Sequence, residues 1–195
     1  VQGESIVVNS LCFPSQFGCT QDVPNYDYNP EKAKKLLAEA GYPNGFEIPF
    51  LAYRNRDYAE AMINNLNAVG IKAKLEYLKY AAFRDKVQSG GSPFNFGTWG
   101  SYSINDVSAI TSHFQSGGKD DYSKDPEVIK QLGIGDTSVD ANVRKAAYKA
   151  ALSRITGEVF MFPLWSYNTW YAFSKDVDFN PTPDEIPRFF TAKWM

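Results

Sequence analysis

The sequence has few of the residues from which metal sites and many catalytic centres are built. Its 195 residues include two cysteines and one histidine, His113. A structural zinc site usually needs four such ligands, so we expect no metal site. A lone histidine is more often structural than catalytic, and the P-loop and HExxH motifs are missing. We therefore expect no catalytic residue and no cofactor, and we predict that the protein is not an enzyme.

Long apolar runs and runs of like charge are also absent. No stretch approaches the roughly 20 apolar residues that a helix needs to cross a bilayer. The net charge is −2 at pH 7, so nothing indicates a surface for nucleic acid or for anionic membranes. Residues 1–10 lack the basic start and long apolar run of an export signal. We expect a soluble protein without membrane insertion, whose export signal is either absent or already removed.

The two cysteines lie close together, at Cys12 and Cys19. The segment between them is short and contains Pro14 and Gly18, so a disulfide is sterically feasible in an oxidising compartment. The alternative is a pair of free thiols that pack as small apolar side chains.

The segment from Tyr26 to Phe46 has a well-marked helix start and stop. Asn29 can act as the N-cap, Pro30 suits the first helical position, and Gly41 can adopt the left-handed conformation that ends a helix. Apolar residues recur at helical spacing between these points and predict that one face packs on a core. These residues are Ala33, Leu36, Leu37 and Ala40.

Residues 46–99 predict the order strand, helix, strand, helix, strand. Apolar and polar residues alternate in 46–52 and 71–77, and 94–99 supplies the third strand. Strands that are separated by single helices imply parallel crossovers and an open α/β sheet. Such sheets bind ligands outside the carboxyl ends of their strands. This rule selects the loops 53–57 and 99–106, with the exit of the second strand at 79–80 as a secondary choice.

The second half of the chain predicts two helices, over 125–132 and 139–158. The second helix carries a packing stripe of Val143, Ala147, Ala150, Ala151 and Ile155. The aromatic run 160–174 predicts two strands about a turn near 166–168. Residues 180–195 are rich in proline and predict an irregular C-terminal tail.

In this order the segments resemble the C-terminal lobe of the family 5 extracellular solute-binding proteins, the dipeptide, oligopeptide and nickel receptors of ABC importers. The likeness runs from about residue 26 to the end, through YNPEKAKKLLAEAGYPNGF, AEAMINNLNAVGIKAKLEYL, FNFGTWGSYSIND, YSKDPEVIKQL and DANVRKAAYKAALSRITGEVFMFPLW. It implies a periplasmic-binding-protein type II-like fold, with an open mixed sheet flanked by helices. Residues 1–195 would form a single α/β lobe of a larger, two-lobed receptor.

The resemblance also implies a function. A small-molecule or peptide ligand would bind in a cleft between this lobe and a missing N-terminal lobe, and a membrane permease would recognise the loaded receptor. We expect a monomer in the periplasm or cell envelope, where the Cys12–Cys19 disulfide can form. The ligand class remains open among peptides, opine-like conjugates, sugars and chelated nickel. A different hypothesis is a chaperone-like domain that binds partner polypeptides through exposed aromatic strands.

The resemblance assigns cleft-lining positions to Trp99, Gly100, Ser101 and Tyr102. Peptide-binding members usually place an acidic residue a few positions after this tryptophan, to hold the amino terminus of the ligand. This chain has Tyr102 there and Asp106 further on. Asp106 could replace that acidic residue, or it could cap the helix that follows.

Arg54 and Arg56 lie in the loop after the first predicted strand. A guanidinium there could hold a carboxylate or phosphate of the ligand through two parallel hydrogen bonds. The alternative is that at least one of them is a solvated surface arginine.

Overall fold

The computed structural model describes residues 5–101, 103–182 and 186–195. The chain divides into two compact units, and each is described by itself. The sheet unit comprises residues 26–98, and the helical unit comprises residues 1–25 and 99–195. The assignment of residues 1–195 to a single lobe stays a prediction. Among the described residues, no helix is both long enough and apolar enough to cross a membrane.

The sheet unit alternates helices and strands in the predicted order. Its elements are α1 (Pro30–Glu39), β1 (Phe46–Ala52), α2 (Arg56–Ala68), β2 (Ile71–Tyr77), α3 (Tyr80–Gln88) and β3 (Asn95–Phe96). The strands lie in the order β2-β1-β3, and β1 pairs in parallel with both neighbours. The third strand is shorter than the predicted 94–99. Because β1 ends at Ala52, which pairs with Phe96, the residues after Phe96 have no neighbour on β1 to continue the ladder.

The helix α1 begins and ends as its sequence predicts. Asn29 accepts a hydrogen bond from the backbone N–H of Lys32 at 2.9 Å, and Gly41 has a φ of +89°. The prediction that one face of α1 packs on a core is wrong, since no residue of α1 is buried and Leu36 is 52% exposed. Spacing determines the direction in which apolar side chains point, and burial also needs a neighbouring surface.

The helical unit contains α4 (Ser108–Phe114), α5 (Pro126–Thr137), α6 (Ala141–Gly157), β4 (Val177–Asp178) and β5 (Lys193–Trp194). Its core joins α5 and α6 to the segment of the Cys12–Cys19 disulfide, which is formed as the sequence allowed. The predicted stripe on α6 is correct in part. Val143 and Ala150 are exposed, and Tyr148 and Leu152 are buried in their place. A stripe of alanines fixes the phase of a helix weakly, because small side chains gain little from burial.

The prediction of two strands in the aromatic run 160–174 is wrong. In the described part of the chain, this run forms only an isolated bridge, in which Trp165 pairs with Val7. Aromatic composition favours a strand only where a neighbouring strand can pair with it. The C-terminal tail, in contrast, is partly regular. A 3-10 helix spans Phe189–Thr191, and β5 pairs antiparallel with β4.

Candidate functional site

Two loops of the sheet unit lie at the carboxyl edge of the parallel sheet. The strand order is β2-β1-β3, so the chain leaves β1 toward β2 on one side, and β3 lies on the other side of β1. The strand order therefore reverses between β1 and β3. Open α/β sheets bind ligands at such a switch point. Tyr53 and Arg54 follow β1 there, and Gly97 and Thr98 follow β3.

These two loops and the start of α3 bring together four side chains, which we call the sheet-edge cluster: Tyr53, Arg54, Tyr80 and Thr98. The hydroxyl of Tyr53 lies 3.1 Å from Oγ1 of Thr98, and Nη1 of Arg54 donates to the same oxygen at 3.2 Å. The Arg54 guanidinium carbon lies 5.0 Å from the centre of the Tyr53 ring. The Tyr80 ring lies 5.1 Å from the Tyr53 ring. The cluster therefore combines a cation, hydroxyl groups and aromatic surface at one sheet edge.

The sequence had placed Arg56 in the loop after β1, but in the structure it is the first residue of α2. Its Nε donates to Oε1 of Glu60 at 2.8 Å, and this hydrogen bond is the main reason that the pKa of Arg56 is raised. The side chain is 63% exposed. These contacts are those of a surface ion pair within a helix, and ligand contact by Arg56 stays a prediction.

In the helical unit, Trp99 packs against α4. Its indole stacks on the His113 ring, with centroids 4.3 Å apart and an interplanar angle of 23°. Phe114 meets the same indole edge-on at 5.0 Å. Nε2 of His113 lies 3.3 Å from Oδ2 of Asp120, whose side chain is only 8% exposed. No motif contains both Trp99 and His113, so this stack could not be predicted from the sequence.

The loop after Trp99 is fastened to the disulfide segment. The N–H of Phe17 donates to the carbonyl of Asn105 at 3.0 Å, and the N–H of Val107 donates to the carbonyl of Phe17 at 3.1 Å. Nε2 of Gln16 donates to the carbonyl of Ile104 at 3.1 Å. The disulfide segment thus supports the backbone that carries the predicted cleft residues.

Among those residues, Gly100 is half-buried and Ser101 is buried. Tyr102 lies outside the described residues, so its predicted role stays a prediction.

Asp106 belongs to a network inside the helical unit. Its Oδ2 accepts a hydrogen bond from Nη2 of Arg144 at 2.7 Å, and its Oδ1 accepts one from the N–H of Ser108 at 3.0 Å. Burial raises the pKa of this carboxyl, but the hydrogen bonds from Ser108 and Arg144 outweigh burial and leave the pKa below its usual range. The sequence left two roles open for Asp106, and these contacts favour the one in which it caps the start of α4.

Two members of this network, Arg144 and Tyr148, were not predicted from the sequence. Arg144 also donates to the hydroxyl of Tyr148 at 2.9 Å, and that hydroxyl lies 2.8 Å from Oδ1 of Asp136. Burial is the main reason that the pKa of Tyr148 is raised. The one sequence feature that relates them is their spacing of four residues on α6, which places the two side chains next to each other on the helix surface. A search for apolar residues at helical spacing does not detect this pair. Within the described residues, no three His, Cys, Asp or Glu side chains form a group that could hold a metal ion.

The sequence signature of the bacterial extracellular solute-binding proteins, family 5 (middle region), matches residues 1–121. The chain belongs to this family. The heme-binding protein A of Haemophilus influenzae is 34% identical over 97 residues, which are 46% of this chain and 18% of that protein. The dipeptide-binding protein of Escherichia coli is 37% identical over 94 residues, or 41% of this chain and 18% of that protein.

Solved structures agree with this assignment. The structure of HbpA2 from Haemophilus parasuis matches with a TM-score of 0.81 and 25% identity, and it covers 100% of this chain and 41% of that chain. This family 5 chain therefore spans about two fifths of that structural relative. The predicted family resemblance and the predicted α/β fold of periplasmic binding proteins are both confirmed. The relatives are named as binding proteins and not as enzymes.

Proposed function

We propose that this chain is part of the substrate-binding component of an ABC importer, and that it captures a peptide-like or other small solute. The observation that carries the proposal is the sheet-edge cluster, in which Tyr53, Arg54 and Thr98 meet at the switch point of a parallel sheet. Membership of a solute-binding family supports the same function. The relatives named for heme and for a dipeptide indicate that ligand chemistry varies within the family.

Within the sheet-edge cluster, Arg54 supplies the charge. Its guanidinium pairs with a carboxylate or phosphate of the ligand through parallel hydrogen bonds. The Tyr53 ring below the guanidinium holds it by a cation–π contact and limits its freedom before the ligand arrives. Tyr53 and Tyr80 offer aromatic surface to apolar parts of the ligand. Arg56 contributes only if it leaves its pairing with Glu60.

Within the helical unit, the proposed ligand contacts are Trp99, Gly100, Ser101 and Tyr102. The indole of Trp99 is already packed against α4, so it loses little conformational freedom when a ligand packs on it. Asp106 is committed to Arg144 and Ser108, so we assign it the role of holding the loop and not of binding a ligand amine.

We propose that the ligand binds between the lobe to which this chain belongs and an N-terminal lobe. Closure then buries the ligand, and a membrane permease recognises the closed form. The ligand shifts the equilibrium between open and closed forms only as far as it prefers the closed form. This receptor works as a monomer in the periplasm or cell envelope.

The experiment has two steps. Native mass spectrometry of the intact receptor identifies a retained ligand, and a panel of peptides, opines, sugars and metal chelates serves if none is retained. Calorimetry then compares the wild type with Trp99→Ala and Arg54→Ala. Each variant is expected to weaken affinity by about ten-fold or more, as for buried anchor residues at other interfaces. Unchanged affinity in both variants would remove the proposed site.

Two controls sharpen this result. Lys74→Ala removes an exposed cation of the same unit that pairs with Glu47, and it is expected to leave affinity unchanged. Arg54→Lys keeps the charge but loses the planar fork, so it is expected to restore only part of the affinity.

A second candidate function is the binding of partner polypeptides through exposed aromatic side chains. The observation that favours it is a set of exposed residues near the C-terminus: Trp170, Phe189, Phe190 and Trp194. Exposed apolar patches mark interaction sites in many soluble proteins. This function predicts binding of reduced, unfolded polypeptides with little selectivity. A receptor instead selects one ligand class, so competition by unfolded chains against the identified ligand distinguishes the two.

A further inference from the structure

The His113 ring makes two contacts of different kinds. One face stacks on the indole of Trp99, with the rings 4.3 Å apart and nearly parallel. Its Nε2 edge points to the carboxylate of Asp120, at 3.3 Å from Oδ2. Phe114 meets the same ring edge-on at 4.5 Å. His113 therefore contacts both the indole of Trp99 and a mostly buried carboxylate. A change in the charge of its ring acts on both contacts.

Both contacts respond to the protonation of His113 in the same direction. An imidazolium over the face of an indole gains a cation–π attraction, for which tryptophan is the best partner. A protonated Nε2 also attracts the Asp120 carboxylate, and this attraction is poorly screened because Asp120 is largely buried. In the described contacts, Asp120 is the charged group that faces this ring, and Phe114 is uncharged. A neutral ring keeps the stack but loses both charge contributions.

We propose that His113 is a positioning residue for Trp99, and that its protonation tightens the hold on the indole. Asp120 orients the ring through Nε2, and the ring fixes the plane of Trp99. The consequence for binding rests on the proposed function: a more firmly held indole gives the ligand a better-organised surface, so affinity is higher when His113 is protonated. The stack itself does not depend on that function.

The first test needs no ligand. The fluorescence of the intact receptor minus that of its Trp99→Phe variant isolates the emission of Trp99, and it is recorded from about pH 8 to about pH 5. A histidinium stacked on an excited indole accepts an electron and quenches it. The expected result is a loss of Trp99 emission on acidification. His113→Phe keeps an aromatic ring but cannot titrate, and His113→Gln keeps a donor toward Asp120 without a ring, so both are expected to abolish this loss.

The second test uses the ligand found by mass spectrometry. His113→Phe keeps an aromatic ring but loses the contact with Asp120, so it is expected to bind with an affinity that does not change with pH. His113→Gln is expected to weaken affinity by about two- to ten-fold at every pH, which is the range of a lost aromatic pair. A role in folding alone would give neither pattern.

The proposal is overturned if wild-type Trp99 emission does not change with pH, or if the change persists in His113→Phe. It is also overturned if His113→Gln binds as tightly as the wild type while Trp99→Ala binds weakly. If Trp99→Ala and Arg54→Ala both bind normally, the proposed binding site fails. The fluorescence titration then still decides whether His113 positions Trp99.

Discussion

The ring of Tyr148 is enclosed by two glycines in the helical unit. A Cβ added at Gly135 would lie 2.5 Å from Cε1 of the ring, and one added at Gly18 would lie 2.4 Å from Cδ2. Real Cβ atoms do not approach so closely, so something must move. The ring has little room to do so, because it is fully buried and its hydroxyl contacts Arg144 and Asp136.

We therefore predict that Gly135→Ala and Gly133→Ala change stability in opposite directions. Both glycines lie in α5, and a Cβ at Gly133 would meet nothing within 4 Å. Alanine in place of a helical glycine contributes up to about 1 kcal/mol of stability at either position. Overpacking at Gly135 costs about 1–3 kcal/mol. The propensity gain is similar in both variants, so their difference of about 1–3 kcal/mol isolates the cost of crowding Tyr148.

Urea denaturation of the intact protein measures the two free energies of unfolding, and native-state hydrogen exchange of α5 and α6 amides locates the change. Gly133→Ala is expected to slow exchange in these helices, and Gly135→Ala to speed it. If Gly135→Ala were as stable as Gly133→Ala, the close fit of the Tyr148 ring against α5 would be refuted.

Two further predictions concern the same unit. Hydrogen bonds from Arg154 and from the N–H of Val128 lower the pKa of Asp125 to about 2. Its contribution to stability is therefore complete above its ordinary pKa of 3.8 and is lost as the pH falls toward about 2. Asp125→Asn is expected to flatten the dependence of the urea midpoint on pH in that window, and an unchanged slope would contradict this assignment. Replacing Cys12 and Cys19 by serine reopens a short loop, at a cost of about 2–3 kcal/mol. It is also expected to speed amide exchange at Val107, which donates to the carbonyl of Phe17, whereas equal exchange in variant and wild type would mean that the disulfide does not support this loop.

Much of the sheet unit could be predicted from local signals. The cap at Asn29, the left-handed Gly41 and the alternation in 46–52 and 71–77 each depend on residues a few positions apart. The order of the elements also predicted a parallel sheet, and therefore the edge at which Tyr53 and Arg54 lie. Where a local signal needed a distant partner it failed, as in the aromatic run 160–174, which has strand composition but in the described residues forms only the isolated bridge of Trp165 with Val7.

The candidate site was predicted less completely, because its contacts join residues that are distant in sequence. Nothing in the sequence relates Asp106 to Arg144, and without that contact two roles stayed open for the carboxylate. Thr98 was absent from the predicted site, although it contacts both Tyr53 and Arg54. A single threonine at the end of a strand has no periodic signature.

The sequence by itself determined the family, through the resemblance of its segments to those of solute-binding proteins. It also determined the order of helices and strands and the loops at the carboxyl edge of the sheet, since these follow from spacing and turn residues along short stretches of chain. Only the tertiary structure decided which side chains contact each other: Tyr53 with Thr98, and Trp99 with His113. Periodicity specifies the direction in which a side chain points along its own element. Its partner depends on how separate elements pack, and that is a property of the folded chain as a whole.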